Sequence, residues 1–247
     1  MEVAYFEGRD GVRLAYRELG HGRPVVLIHG YFSTAAATWL RPGHAAELAA
    51  RGCRVILPDL RGHGESDRPQ DAASYPWDVL TDDGLALVEH LGLTDYDLGG
   101  YSIGGRTTVR MLARGATPGR AVVAGQGLRS VTKVSRSGAG HFHGVLTGLG
   151  TFAPGSPEWR TEQTLRRLDG DPVALLHCLG AFAETPREEL ACLTTPALVV
   201  RGEDDDAADG EALAAALPYG RFVAVPGDHD TAVTSPLLGA AIAGFLA

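Results

Sequence analysis

The chain has 247 residues, 45% of them hydrophobic, enough for one sizeable core. Its 30 acidic residues outnumber 22 basic ones for a net charge of −8, and no Lys/Arg cluster stands out, which argues against nucleic acid or an anionic membrane as partner. Cys53, Cys178 and Cys192 are odd in number and scattered without a C-x-x-C pair, which excludes a disulfide framework or zinc site and reads as small buried hydrophobes.

The first ten residues carry no basic start followed by an apolar stretch, and no later run approaches the ~18 apolar residues that would span a bilayer. A cytoplasmic location is the expectation. Val12 to Glu18, after the turn Glu7-Gly8-Arg9-Asp10-Gly11, reads as the second arm of an N-terminal hairpin. Short runs rich in β-branched residues follow at Val25 to His29, Arg54 to Pro58, Tyr96 to Leu98, Arg120 to Ala124, Ala197 to Arg201 and Arg221 to Val225. Most are near-continuously apolar, as expected of strands buried on both faces. Between them, helical spacing runs over His44 to Arg51, Asp78 to Leu91, Ile103 to Arg114, Gly210 to Leu217 and Leu237 to Leu246. This alternation predicts an α/β fold, a mostly parallel central sheet with helices on both faces, with chemistry on the loops that follow strands.

One stretch breaks the rhythm. Residues 128–186 hold Gly138, Gly140, Gly144, Gly148, Gly150 and Gly155, then two expected helices, Glu158 to Leu168 and Pro172 to Phe182. An insertion longer than an ordinary connection is usually functional. It is expected to form a small cap over the C-terminal edge of the sheet, on a core made of residues 1–127 and 187–247.

Ser102 lies in Gly99-Gly100-Tyr101-Ser102-Ile103-Gly104-Gly105, between an apolar run and a helical one. Glycines two residues either side of a serine clear the space that a tight strand-to-helix turn needs and leave the hydroxyl exposed. A glycine-lined helix cap would read the same way, so the surroundings must decide. A serine nucleophile needs a base and a carboxylate, both on strand-end loops. His229 follows the run ending at Val225, and Asp204, Asp205 and Asp206 follow the run ending at Arg201.

The order serine, aspartate, histidine is that of the α/β-hydrolase arrangement. The chain resembles the α/β-hydrolase superfamily over nearly its whole length, through His29-Gly30-Tyr31-Phe32, Asp59-Leu-Arg-Gly-His-Gly-Glu-Ser66, the Ser102 elbow, Gly202-Glu-Asp-Asp205 and Gly227-Asp-His229. The resemblance implies the α/β-hydrolase fold and selects Asp205 as triad acid over Asp204 and Asp206. It also matches the backbone N–H groups of Tyr31 and Ile103 to the oxyanion-hole donors, the latter at a helix start that favours an anion. His29 and His63 are expected to be structural. Ala124-Gly-Gln-Gly127 carries no acid, which agrees with an acid at the later position.

Phe32, Phe142, Trp159 and Phe182 are candidates for an apolar substrate pocket. His141 and His143 lack a third ligand at zinc-site spacing, and neither metal nor cofactor is expected. Members of the superfamily that open epoxides through an ester intermediate carry aspartate at the elbow, so Ser102 points instead to acyl transfer through an acyl-enzyme. The expectation is a carboxylesterase-like hydrolase (EC 3.1.1) acting on an ester or thioester of a small apolar molecule. The same triad resembles those of C–C bond hydrolases, lactonases and cofactor-free perhydrolases or haloperoxidases, and some relatives act as small-molecule receptors. Partners are then a small-molecule substrate, no nucleic acid and no membrane, with a homo-oligomer left open.

Overall fold

The computed structural model describes residues 1–133 and 136–247, with the side chains of residues 136–139 outside the description. Residues 134 and 135 belong to the expected cap and lie outside the described residues. Eight strands form one sheet: β1 (Ala4–Glu7), β2 (Arg13–Leu19), β3 (Arg23–Ile28), β4 (Cys53–Pro58), β5 (Asp97–Tyr101), β6 (Ala121–Ala124), β7 (Ala197–Gly202) and β8 (Gly220–Val225). Their spatial order is β1-β2-β4-β3-β5-β6-β7-β8. β2 runs antiparallel to both neighbours, and from β4 onward every pair is parallel.

The helices are α1 (His44–Ala50), α2 (Val79–His90), α3 (Ile103–Ala113), α4 (Leu128–Thr132), α5 (Arg136–Thr147), α6 (Pro157–Arg167), α7 (Pro172–Gly180), α8 (Arg187–Leu190), α9 (Ala207–Ala216), α10 (His229–Ala232) and α11 (Pro236–Leu246). Alternation along β3 divides the core. Val25 and Leu27 pack with Leu48 of α1 and Ile242 of α11, while Val26 and Ile28 pack with Leu87 of α2 and Met111 of α3. Val109 of α3 and Leu213 of α9 meet Val123 and Val199 further along the sheet. The continuous apolar runs of the inner strands follow from burial on both faces. β8 departs from them: it is the edge strand, Arg221, Val223 and Ala224 are exposed, and only Phe222 and Val225 reach the apolar clusters.

Between β6 and β7, three helices start on strong signals or on packing. Ser156 and Asp171 cap α6 and α7, accepting from Trp159 N–H and from Val173 and Ala174 N–H, each with proline at the first helical position. α5 is the unexpected one, because Gly138, Gly140 and Gly144 lower helix propensity. Phe142, Val145 and Leu146 recur on one face of it and, with Leu149 just past its end, pack with Phe32, Leu165 of α6 and Leu175 of α7, so tertiary burial outweighs the local cost. Of the cysteines, Cys53 and Cys178 are buried, but Cys192 is exposed, lying just past α8 on the surface.

Candidate active site

Ser102 follows directly on β5 and precedes α3, with φ 55° and ψ −120°, a conformation that a side chain adopts only under constraint. The constraint is visible. Its N–H donates to Ala124 O at 2.8 Å, and a Cβ on Gly104 would stand 2.2 Å from Ile28 O, so α3 is pressed against the end of β3 at a distance only glycine permits. The same approach places the Gly30 backbone beside the serine: a Cβ there would lie 3.3 Å from Ser102 Cβ.

His229 is the first residue of α10, after Asp228, whose carboxylate accepts from Asp230 and Thr231 N–H. Two backbone bonds, Glu203 N–H to Val225 O at 2.8 Å and Asp204 N–H to Gly227 O at 3.1 Å, lace the loop after β7 to the loop after β8. They bring Asp205 under the imidazole. His229 Nδ1 lies 3.0 Å from Asp205 Oδ2 and its Nε2 lies 3.0 Å from Ser102 Oγ. A carboxylate only accepts, so Nδ1 carries the proton and Nε2 is free to accept from the serine hydroxyl. Burial pushes the Asp205 carboxyl up, but hydrogen bonds and charge from His229 and Arg201 outweigh it and hold the group below the ordinary carboxylate range. Asp204 stays exposed, and Asp206 pairs with Arg129, so neither competes for the imidazole.

A strand-to-helix serine at the C-terminal end of a mostly parallel sheet, with a histidine and an aspartate delivered by the two strand-end loops beyond it, fits one sequence match. Residues 23–132 match a family model described as alpha/beta hydrolase fold. The chain has the α/β-hydrolase fold. It is similar to the AB hydrolase superfamily protein YisY of Bacillus subtilis, 28% identical over 226 residues covering 81% of each chain. It is also similar to a non-heme haloperoxidase of Rhodococcus erythropolis, 28% identical with 82% of each chain covered. Among solved structures, a thermophilic esterase from Thermogutta terrifontis superposes with a TM-score of 0.80 at 26% identity, covering 100% of this chain and 98% of that one.

Tyr31, next to Gly30, is ringed by aromatics: Phe32 at 4.9 Å between centroids, Phe142 at 5.0 Å and Phe182 at 5.3 Å, with the Tyr31 hydroxyl donating to Leu175 O at 2.6 Å. Phe32 is buried at φ 52°, a second strained position. Three of the four expected pocket residues therefore gather around Tyr31. Trp159, half-buried on α6, stands outside that cluster, because its helix turns Leu165 and not the indole toward Phe32.

His29 is fully buried, with Nδ1 donating to Gly30 O at 2.7 Å and Nε2 accepting from Leu60 N–H at 2.9 Å, so both nitrogens are committed to holding the strand-end loops together. His63 donates from Nδ1 to Arg61 O at 2.9 Å and packs on His29 and Tyr31. Arg61 is itself buried and clasped by Asp83 at 2.7 and 2.9 Å, which ties the loop after β4 to α2. His141 bonds to Thr161 and His143 is exposed; among the described residues no group of three or more His, Cys, Asp or Glu could hold a metal ion. Among the same residues no helix is long and apolar enough to cross a membrane.

Two contributors escape sequence reasoning. Tyr101, adjacent to the serine and buried, donates its hydroxyl to His229 O at 2.7 Å. Arg201 donates to Asp205 Oδ1 at 3.1 Å. The spacing Arg201 to Asp205 is a legible signal for the second; nothing local announces the first.

Proposed function

We propose that the protein is a serine hydrolase that cleaves an ester or thioester of a small, largely apolar molecule through an acyl-enzyme on Ser102. The observation that carries this is the unbroken chain from Ser102 Oγ through His229 to Asp205, with both links at 3.0 Å. His229 Nε2 takes the hydroxyl proton as Oγ attacks the carbonyl carbon, and Asp205 holds the ring and stabilises the imidazolium that forms. The imidazolium then protonates the leaving alcohol or thiol, and a water activated by the same nitrogen releases the acid.

The developing oxyanion is assigned to the N–H groups of Tyr31 and Ile103. Ile103 opens α3, where Ser102 provides no side-chain cap, so amide and helix dipole face the reacting carbon. Tyr31 follows Gly30, whose backbone lies beside the serine: a Cβ there would stand 3.3 Å from Ser102 Cβ. The aromatic group of Phe32, Phe142 and Phe182 supplies apolar walls, and helices α5, α6 and α7 act as the cap on a core of residues 1–127 and 187–247. Neither metal nor cofactor enters this reading, and self-association is left to measurement.

A second reading has one specific support, the Rhodococcus erythropolis relative named a non-heme haloperoxidase. On the same acyl-enzyme, hydrogen peroxide in place of water would yield a peracid. The decisive experiment is turnover of short-chain p-nitrophenyl esters by the protein and by Ser102→Ala, with and without peroxide. Abolished turnover in the variant and a single phosphonate adduct on Ser102 are expected; retained activity or labelling elsewhere refutes the nucleophile.

A further inference from the structure

We propose that Arg201 is a positioning residue for the relay, clamping the Asp205 carboxylate so that one oxygen is reserved for His229. This rests on the serine-hydrolase reading above. Arg201, 12% exposed, leaves the end of β7 and sits between two carboxylates of the following loop and helix: one terminal nitrogen lies 3.1 Å from Asp205 Oδ1 and the other 3.2 Å from Asp209 Oδ2. Asp205 is thus held at both oxygens, Oδ1 by the guanidinium and Oδ2 by the imidazole. A carboxylate gripped at one oxygen alone can rotate about its own bond; gripped at both, it presents Oδ2 in one orientation.

The rest of the structure is arranged around this clamp. Asp209 is fixed in turn by the backbone N–H of Arg129 at 3.2 Å. Gly127, at the foot of the loop after β6, has no side chain where a Cβ would stand 2.0 Å from Asp209 Oδ2 and 2.1 Å from the Arg201 guanidinium. The ion pair occupies the volume that any other residue would need. The acid-free Ala124-Gly-Gln-Gly127 segment is therefore not merely a place where an acid is missing: it is the wall that the clamp presses against.

A fixed cation on the far side of Asp205 also has an electrostatic consequence. Among the described residues, the charged groups set around the relay are Asp205, which contacts His229, Arg201 behind it, Asp209 behind Arg201, Asp228 and Asp230 on the turn of His229, and Asp204 on the laced loop, while the neutral Tyr101 hydroxyl from β5 meets His229 O. Arg201 is the one cation among these groups. Removing its charge makes the imidazolium easier to form, so less of the enzyme holds a free base at mildly acid pH. Removing the Asp209 charge leaves Arg201 less neutralised and has the opposite sign.

The test measures the pH dependence of two rates for the full-length protein, Arg201→Gln, Arg201→Lys and Asp209→Asn: kcat/KM on p-nitrophenyl butyrate, and covalent labelling of Ser102 by a phosphonate ester. Arg201→Gln should lower kcat about tenfold or more with KM nearly unchanged, as a misoriented relay predicts. Its acidic limb should move up by about half a pH unit, the size expected for one partly exposed charge a few ångströms away. Arg201→Lys should keep the limb in place while recovering part of kcat, and Asp209→Asn should move the limb down.

Limbs that stay put in Arg201→Gln and Asp209→Asn overturn the proposal and reduce Arg201 to a structural ion pair, whatever happens to melting temperature. Should Arg201→Gln not fold, the opposite shift in Asp209→Asn decides alone. The labelling arm keeps the two readings apart: a protein whose Ser102 is phosphonylated with the expected pH dependence but which turns over no ester refutes the reaction and not the clamp.

Discussion

Replacing Ser102 with glycine should leave the protein more stable than replacing it with alanine, although neither variant should turn over an ester. The serine backbone sits at φ 55° and ψ −120°, a region that costs a residue with a Cβ about 1–3 kcal/mol and glycine little. Both substitutions remove the Oγ bond to His229, so that loss cancels in the comparison. Glycine loses about 0.5–1 kcal/mol to the greater freedom of its unfolded chain, and a few tenths more for the missing methyl at a half-buried site. The net gain of Ser102→Gly over Ser102→Ala is therefore about 1 kcal/mol, or roughly 2–4 °C in melting temperature for a domain of this size. Calorimetry on the two variants and the wild type measures it directly. A glycine variant that melts at or below the alanine variant refutes the account of a strained elbow held by Ala124 O and by the approach of Gly104 to β3.

Tyr101→Phe removes one buried donor from His229 O, and the expected cost is about 1–2 kcal/mol with a several-fold loss of kcat and little change in KM, read by melting and steady-state kinetics. The buried histidines set the acid side of stability. Burial with the neighbouring His29 lowers His63 to about 3, and burial lowers His29, so both imidazoles fold neutral while the unfolded chain takes up protons below about pH 6.5. Stability from these groups is complete above that pH and falls by up to about 1.4 kcal/mol per unit for each as pH drops, so the melting temperature should decline from pH 7 to pH 5, less steeply in His63→Phe. Equal slopes in the two proteins would show that His63 is not the group responsible. Phe142→Ala opens the packing against Tyr31 and Phe32 and should raise kcat/KM for long-chain p-nitrophenyl esters relative to the acetate; an unchanged chain-length profile would place the acyl pocket elsewhere.

Much of this protein is written locally. The inner strands announce themselves because a parallel sheet buried on both faces needs unbroken apolar runs, and the capped prolines at Pro157 and Pro172 mark helix starts with residues that need no partner outside the turn. Ser102 and His229 are legible for a related reason: each sits where a strand ends, and the glycines around Ser102 record how closely the backbones pass, whereas Asp205 is one of three adjacent aspartates and only the resemblance singles it out. α5 is not legible, since its glycines speak against a helix and only contact with Phe32 and the neighbouring helices supports one. Cys192, Trp159 and the exposed β8 likewise take their surroundings from which neighbours the sheet order supplies.

The amino-acid sequence by itself determined the layered α/β architecture and the strand-end positions of Ser102, His229 and a run of three aspartates, because periodicity and strand-end position are properties of adjacent residues; the choice of Asp205 within that run came from the family resemblance. Only the tertiary structure decided that Tyr101 holds the histidine turn from 128 residues away and that Arg201 and Gly127 form the seat behind Asp205. Those roles depend on side chains meeting across separate loops, and no local pattern encodes a meeting point that the whole sheet must first assemble.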